Sequence, residues 1–193
     1  MAWRRTAIFL VVAITLAASA VSAPAIAAPR RAYFDLHAPG FREFSSLSKK
    51  YSGNNRQLAG CDGGNLSPPL AWSGAPAGTK SYAIILLDPA ANPPMGFVQW
   101  VAYGIPATKK SLMAGEGSGP SPWIVGGKSM TGKDTYFGPC PPPGTKPHPY
   151  VFLLMATDLL STALEPGLTR DQLAAALKGH ILDRTTLVLR YGH

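Results

Sequence analysis

Asp88, in LLDPAANPP, and His148, in GPCPPPGTKPHPY, are the side chains whose surroundings most directly point to chemistry. Asp88 closes an apolar run, and Pro89, which has no amide to donate, stops a sheet ladder from continuing, so the carboxylate is left at a strand exit. Alone, such a carboxylate is a turn cap. Opposite a histidine it becomes half of a binding pair, because it orients the imidazole toward an anionic or hydroxyl group. His148 stands just before a strong strand pattern, where a side chain projects from a sheet rim. The segment from Gly138 to Tyr150 is unusually rich in proline, which fixes the backbone and removes donors. Among its remaining amides, those at Gly138, Cys140 and Gly144 are expected to be free to bind, and its form is expected to be a rigid concave wall. On these residues alone, a proline-rich surface turn and a structural histidine stay open as alternatives.

Cys140 offers a different chemistry. With His148 as base and Asp88 orienting the ring, it would serve as the nucleophile of a hydrolase, provided that its thiol is free. The chain has one other cysteine, Cys61. If the two pair, the closed loop of about eighty residues contributes at most roughly 4.5 kcal/mol on a chain-entropy estimate. Spacing does not show proximity, so pairing and free thiols both stay open. No metal is expected, because His37, His148, His180 and His193 lack close ligand spacing. No cofactor is expected either: there is no GxxxxGK phosphate loop and no GxSxG elbow. The formal net charge is +8, but the basic residues are scattered without a dense cluster, which argues against nucleic acid as a partner. Trp72, Trp100 and Trp123 read as core or pocket walls.

The elements that must hold these groups are mostly strands. Short apolar runs separated by frequent glycine and proline predict a mainly β domain with long loops. The best strand candidates are 81–87, 97–105, 150–156 and 187–191, with a weaker pair at 33–37 and 70–72. Several are apolar throughout, as strands covered on both faces are. One helix is well signalled: Thr169 as N-cap with Gln172 as its capping-box partner, Leu168 and Leu173 as a hydrophobic staple, and Gly179 as the left-handed stop. Its role is packing on the sheet.

The N-terminus begins with Arg4 and Arg5, continues with an apolar run from Ala7 and ends in small residues around Ala25-Ile26-Ala27, the order of a secretory signal peptide. The run is interrupted by Ser19, Ser22 and Pro24, unlike a membrane span. Residues 1–27 are therefore expected to be removed, with a cut after Ala23 as second choice. Loss of the two arginines would lower the net charge from +8 to +6. The remainder, 28–193, is expected to be a single domain, periplasmic or secreted, with no stable membrane span after cleavage.

Three stretches, LAGCDGGNLSPPLAWSGAPAGTKSYAIILLDP, FVQWVAYGIPA and GPCPPPGTKPHPYVFLLMATD, followed by Gly179-His180-Ile181-Leu182, resemble the bacterial, Raf-kinase-inhibitor-like branch of the phosphatidylethanolamine-binding proteins in order and distance. The resemblance covers roughly Leu58 to Tyr191. It implies an antiparallel β-sandwich with a few short peripheral helices, and a shallow pocket for phosphate or a phospholipid headgroup. Members are also described as kinase or protease inhibitors or signalling regulators. Carried over by position, the family's pocket residues fall on Asp88, Gly138, Pro141, Pro142, His148 and Tyr150. Three positions depart from its pattern: Ala90 replaces an aspartate, Gln99 replaces the histidine before Trp100, and Pro149 replaces an arginine. Gln99 keeps hydrogen bonding but cannot become cationic, so the resemblance implies a pocket retuned away from dianionic phosphate and toward neutral, zwitterionic or monoanionic ligands. The resulting expectation is an exported ligand-binding protein, acting as regulator or inhibitor of a partner protein. A protease- or kinase-docking inhibitor without a small ligand is the alternative, and a Cys140–His148 hydrolase a third reading.

Overall fold

SYAIILLD and FVQWVAYGIP, two long and mostly apolar runs, become adjacent inner strands of a five-stranded sheet, buried along nearly their whole length. In chain order the strands are β1 (Asp35–His37), β2 (Leu70–Ser73), β3 (Ser81–Asp88), β4 (Phe97–Pro106), β5 (Ser111–Leu112), β6 (Val125–Gly127), β7 (His148–Thr157) and β8 (Ile181–Tyr191). The single helix among the described residues, α1 (Arg170–Ala176), precedes β8, and a 3-10 turn occupies Lys49–Tyr51. This computed structural model describes residues 33–193 together with Met1. The expected signal peptide, 1–27, and its cleavage site lie outside the described residues.

The larger sheet runs β6-β4-β3-β7-β8 and the smaller β1-β2-β5, and every pairing within them is antiparallel. The main core lies between the two sheets: Leu36, Trp72 and Leu112 from the small one meet Tyr82, Ile84, Leu86, Phe152 and Leu154 from the large one. Alternate residues on the other face, Ala83, Ile85, Val101 and Met155, form a second core under Leu173 and Leu177. The mainly β, two-sheet architecture is the expected one, with one α-helix among the described residues packed on the outer face of the larger sheet.

The helix forms where the capping residues stand. Thr169 Oγ1 accepts the amide of Gln172, and the Gln172 side chain accepts the amide of Thr169. Leu168 and Leu173 both join the second core, and Gly179 takes a φ of +83° in the turn that follows the helix. Strands extend beyond their apolar runs: β7 begins at His148, β3 includes Asp88, β8 starts at Ile181, and β2 and β4 each run one residue further, to Ser73 and Pro106. One aromatic departs from expectation. Trp72 and Trp100 are core residues, but Trp123 is exposed, with the Lys109 ammonium 5.1 Å from its ring. The cation–π contact keeps the indole at the surface without a pocket.

Candidate functional site

Period-two alternation brings the site together. Asp88 has the parity of Tyr82, Ile84 and Leu86, and His148 and Tyr150 that of Phe152 and Leu154, so all three side chains lie on the face toward the main core. The β3–β7 register pairs Leu87 with Val151, and one step further sets Asp88 beside Tyr150. His148 is then Asp88's diagonal neighbour, within reach of a side-chain contact. On the other side Asp88 pairs with Phe97 of β4.

Asp88 is only 2% exposed and its carboxylate is well supplied with donors. Oδ1 accepts the amides of Ala90 and Ala91, at 2.9 and 3.2 Å, and Oδ2 lies 2.8 Å from His148 Nδ1. A carboxylate accepts, so Nδ1 carries the hydrogen of this bond. The ring is thereby fixed with Nε2 as the nitrogen left for a ligand. The turn-cap and pocket readings of Asp88 therefore hold together: one oxygen caps the turn and the other aligns the histidine.

Gln99 reaches this face through a β-bulge. Leu86 pairs with Trp100 and Leu87 with Val98, leaving Gln99 without an opposite residue. A bulge of this kind re-aims a side chain. The amide is 4% exposed and its Oε1 has no hydrogen-bond partner among the described residues. Asp88, Gln99, Pro141, Pro142 and His148 line one cavity of about 120 Å³, completed by Leu58, Ala91, Phe97, Phe137 and Cys140.

Two of the expected pocket residues do not line that cavity. Tyr150 is fully buried behind it. Burial pushes its hydroxyl pKa up and the Asp88 carboxylate adds to the rise, while the Cys140 amide opposes it. Neither neighbour reaches hydrogen-bonding geometry, and the hydroxyl has no partner among the described residues. Gly138 corrects the expectation of a free amide, because its N–H is donated to Asn65 Oδ1 at 2.8 Å. Glycine is required there by close backbone approach: an added Cβ would lie 2.3 Å from the Tyr51 carbonyl oxygen.

The proline wall is held rigid by the chain around it. Gly53 donates its amide to Pro139, Thr145 caps Pro142, and His193 Nε2 lies 3.1 Å from the Pro141 carbonyl. Cys140 is joined to Cys61 in a disulfide with the Cα atoms 5.1 Å apart. That bond removes the thiol a Cys140–His148 nucleophile would need, so this hydrolase arrangement is not assembled. No group of three or more potential metal-ligating side chains occurs among the described residues. A second histidine–aspartate pair, His180 Nδ1 to Asp158 Oδ1 at 2.8 Å, is 44% and 42% exposed, so the pair alone does not make a site. Burial and a cavity distinguish Asp88–His148.

Sequence reasoning missed Leu58, Ala91, Phe97 and Phe137. Phe97 was legible as the first residue of an apolar strand, and Phe137 as the aromatic before Gly138. Leu58 carries no local signal, since the disulfide brings its loop to the pocket.

The molecule is thus a two-sheet antiparallel protein with a small pocket at the end of its central strands, in which Asp88, Gln99 and His148 are set among mostly apolar walls. Residues 48–192 match the family model described as phosphatidylethanolamine-binding protein, and the chain belongs to that family. A UPF0098 protein of Methanothermobacter thermautotrophicus is 39% identical over 134 residues, covering 68% of this chain and 85% of that protein. The crystal structure of Escherichia coli YbcL, described as a new member of the mammalian family, is similar with a TM-score of 0.75 and 28% identity, over 84% of this chain and 99% of that one. A putative family homologue from Chlamydia trachomatis gives a TM-score of 0.69 and 29% identity, over 83% and 97% of the two chains.

Proposed function

We propose that the Asp88–His148 cavity binds a small zwitterionic or monoanionic group of phosphate or phospholipid-headgroup type, in an exported protein that regulates or inhibits a partner. The carrying observation is a histidine aligned by a buried carboxylate, with Nε2 left for a ligand, beside an amide whose oxygen has no partner among the described residues. A volume of about 120 Å³ suits a headgroup, not a whole lipid. Gln99 supports the zwitterionic preference, because its amide offers both a donor and an acceptor but no charge. Family membership supports the ligand-binding class. The exposed turn from Pro142 to Pro147 would offer a rim to a partner protein. Export rests on the N-terminal pattern of residues 1–27.

Calorimetric titration with inorganic phosphate and with phosphoethanolamine, at about pH 7 where phosphate is partly dianionic and an ordinary histidine still partly protonated, tests the reading. The protein should prefer phosphoethanolamine. Gln99→His should bind phosphate about tenfold more tightly, equivalent to about 1.4 kcal/mol. Equal phosphate affinity in the two proteins would reject the retuned pocket, and no binding of either compound would reject the headgroup site. Retained pull-down of a periplasmic partner under excess phosphoethanolamine would instead favour rim docking.

A further inference from the structure

Gln99 and Val98 are consecutive in β4, but they serve different cavities. Gln99 lines the Asp88 pocket, and Val98 belongs to the second core and lines a cavity of about 380 Å³ on the other side of the β3–β4 connection. That volume is roughly three times the first and falls within the usual range for a small-molecule site.

The second cavity has an apolar body with a charged rim. Met95 and Met130 line it beside Val98, and the Met130 sulfur accepts the Val98 amide at 3.3 Å, which seats this otherwise flexible side chain. Both methionines are large apolar residues left exposed, at 61% and 50%. Methionine is polarizable and adaptable, a lining that suits a flexible chain better than a ring. No aromatic side chain lines the cavity, so it lacks the cage that recognises a quaternary ammonium.

The rim carries Lys128, Arg170 and Asp171. Arg170 Nε is engaged with Asp171 Oδ1 at 2.8 Å, so these two charges offset one another. Lys128 has no acidic partner among the described residues. One uncompensated positive charge therefore stands over an apolar, methionine-lined groove. We propose that this groove is a second ligand site, separate from the Asp88 pocket, for a single-chain amphiphile with one negative end group such as a medium-chain alkyl carboxylate.

The test uses decanoate, below its micelle concentration, with the protein carrying 13C-methyl methionine. The Met95 and Met130 methyl signals should shift saturably. Met113, which is 73% exposed and elsewhere on the surface, and Met155, which is buried, should not move. Lys128→Gln should weaken binding about threefold to fivefold, the range of a partly exposed ion pair. An unmoved Met155 signal would confirm that this exposed-site variant remains folded. Decyltrimethylammonium should bind more weakly than decanoate, and excess phosphoethanolamine should not displace decanoate.

The proposal is overturned if Met113 shifts in parallel, which marks surface adsorption, or if the cationic amphiphile binds equally well. It is also overturned if Lys128→Gln leaves the affinity unchanged or if no saturation occurs. Displacement by phosphoethanolamine would put decanoate in the Asp88 pocket and likewise defeat it. Failure here leaves the headgroup reading intact, because that reading is tested by a different ligand at different residues.

Discussion

Tyr136 and Tyr150 are both fully buried, but their hydroxyls have opposite fates. Tyr136 donates to the Tyr51 carbonyl at 2.8 Å, and Tyr150 has no hydrogen-bond partner among the described residues. At neutral pH, Tyr136→Phe should cost about 1 kcal/mol, whereas Tyr150→Phe should be neutral or stabilising by about 1 kcal/mol. Burial raises the pKa of both phenols above the ordinary value of 10.0. The unfolded chain therefore loses these protons first as pH rises. Stability is fully present below pH 10 and falls above it, by up to about 1.4 kcal/mol per pH unit for each group. Either phenylalanine should flatten that slope. Urea unfolding at pH 7 and about pH 11 checks both predictions, and equal losses at pH 7 would contradict the hydrogen-bond assignment. At this scale, residue types were legible: Asp88 by its strand exit and His148 by its place before a strand. The orientation of Gln99 was not, because it depends on a bulge in the pairing of two strands.

Elements differ in how far local sequence specifies them. The capping box of α1 is written in four consecutive positions, Thr169 to Gln172, and forms as expected. A helix of only seven residues has little intrinsic stability, so the cap and the buried Leu173 must hold it. Thr169→Ala should lower stability by about 1 kcal/mol, and Leu173→Ala by about 2–5 kcal/mol, in chemical denaturation. Indistinguishable losses would mean that the cap bears as much as the core contact. The strands β3, β4 and β7 were legible as long apolar runs. The two-residue β5 and three-residue β6 were not, since they exist only by pairing with β2 and β4. Gly126 and Gly127 in β6 also oppose strand propensity. Pairing with a settled neighbour overrides that preference.

Across the whole molecule, the Cys61–Cys140 bond links residues 79 apart and ties the loop bearing Leu58 to the proline wall. Replacing both cysteines by serine should cost up to about 4.5 kcal/mol by the chain-entropy estimate, read from urea unfolding. It should also weaken phosphoethanolamine binding, because both Leu58 and Cys140 line the pocket. An unchanged affinity would show that the proline loop keeps its shape without the bond. The cysteine count allowed this link but could not establish it: proximity follows from the close approach of the chain at Gly53 and Gly138, far apart in sequence.

By itself the sequence determined the mainly β class, the family, the helix with its caps, and the identities of Asp88 and His148. Each depends on residue type and short-range spacing. Tertiary structure alone decided that Asp88 binds two turn amides as well as His148, that Gly138 spends its amide on Asn65, and that Leu58 closes the pocket. It also decided that Gln99 and Val98 face different cavities. The physical reason is common to these features: strand register, bulges and loop closure are properties of chain segments meeting across space, and no single segment encodes its partner's position.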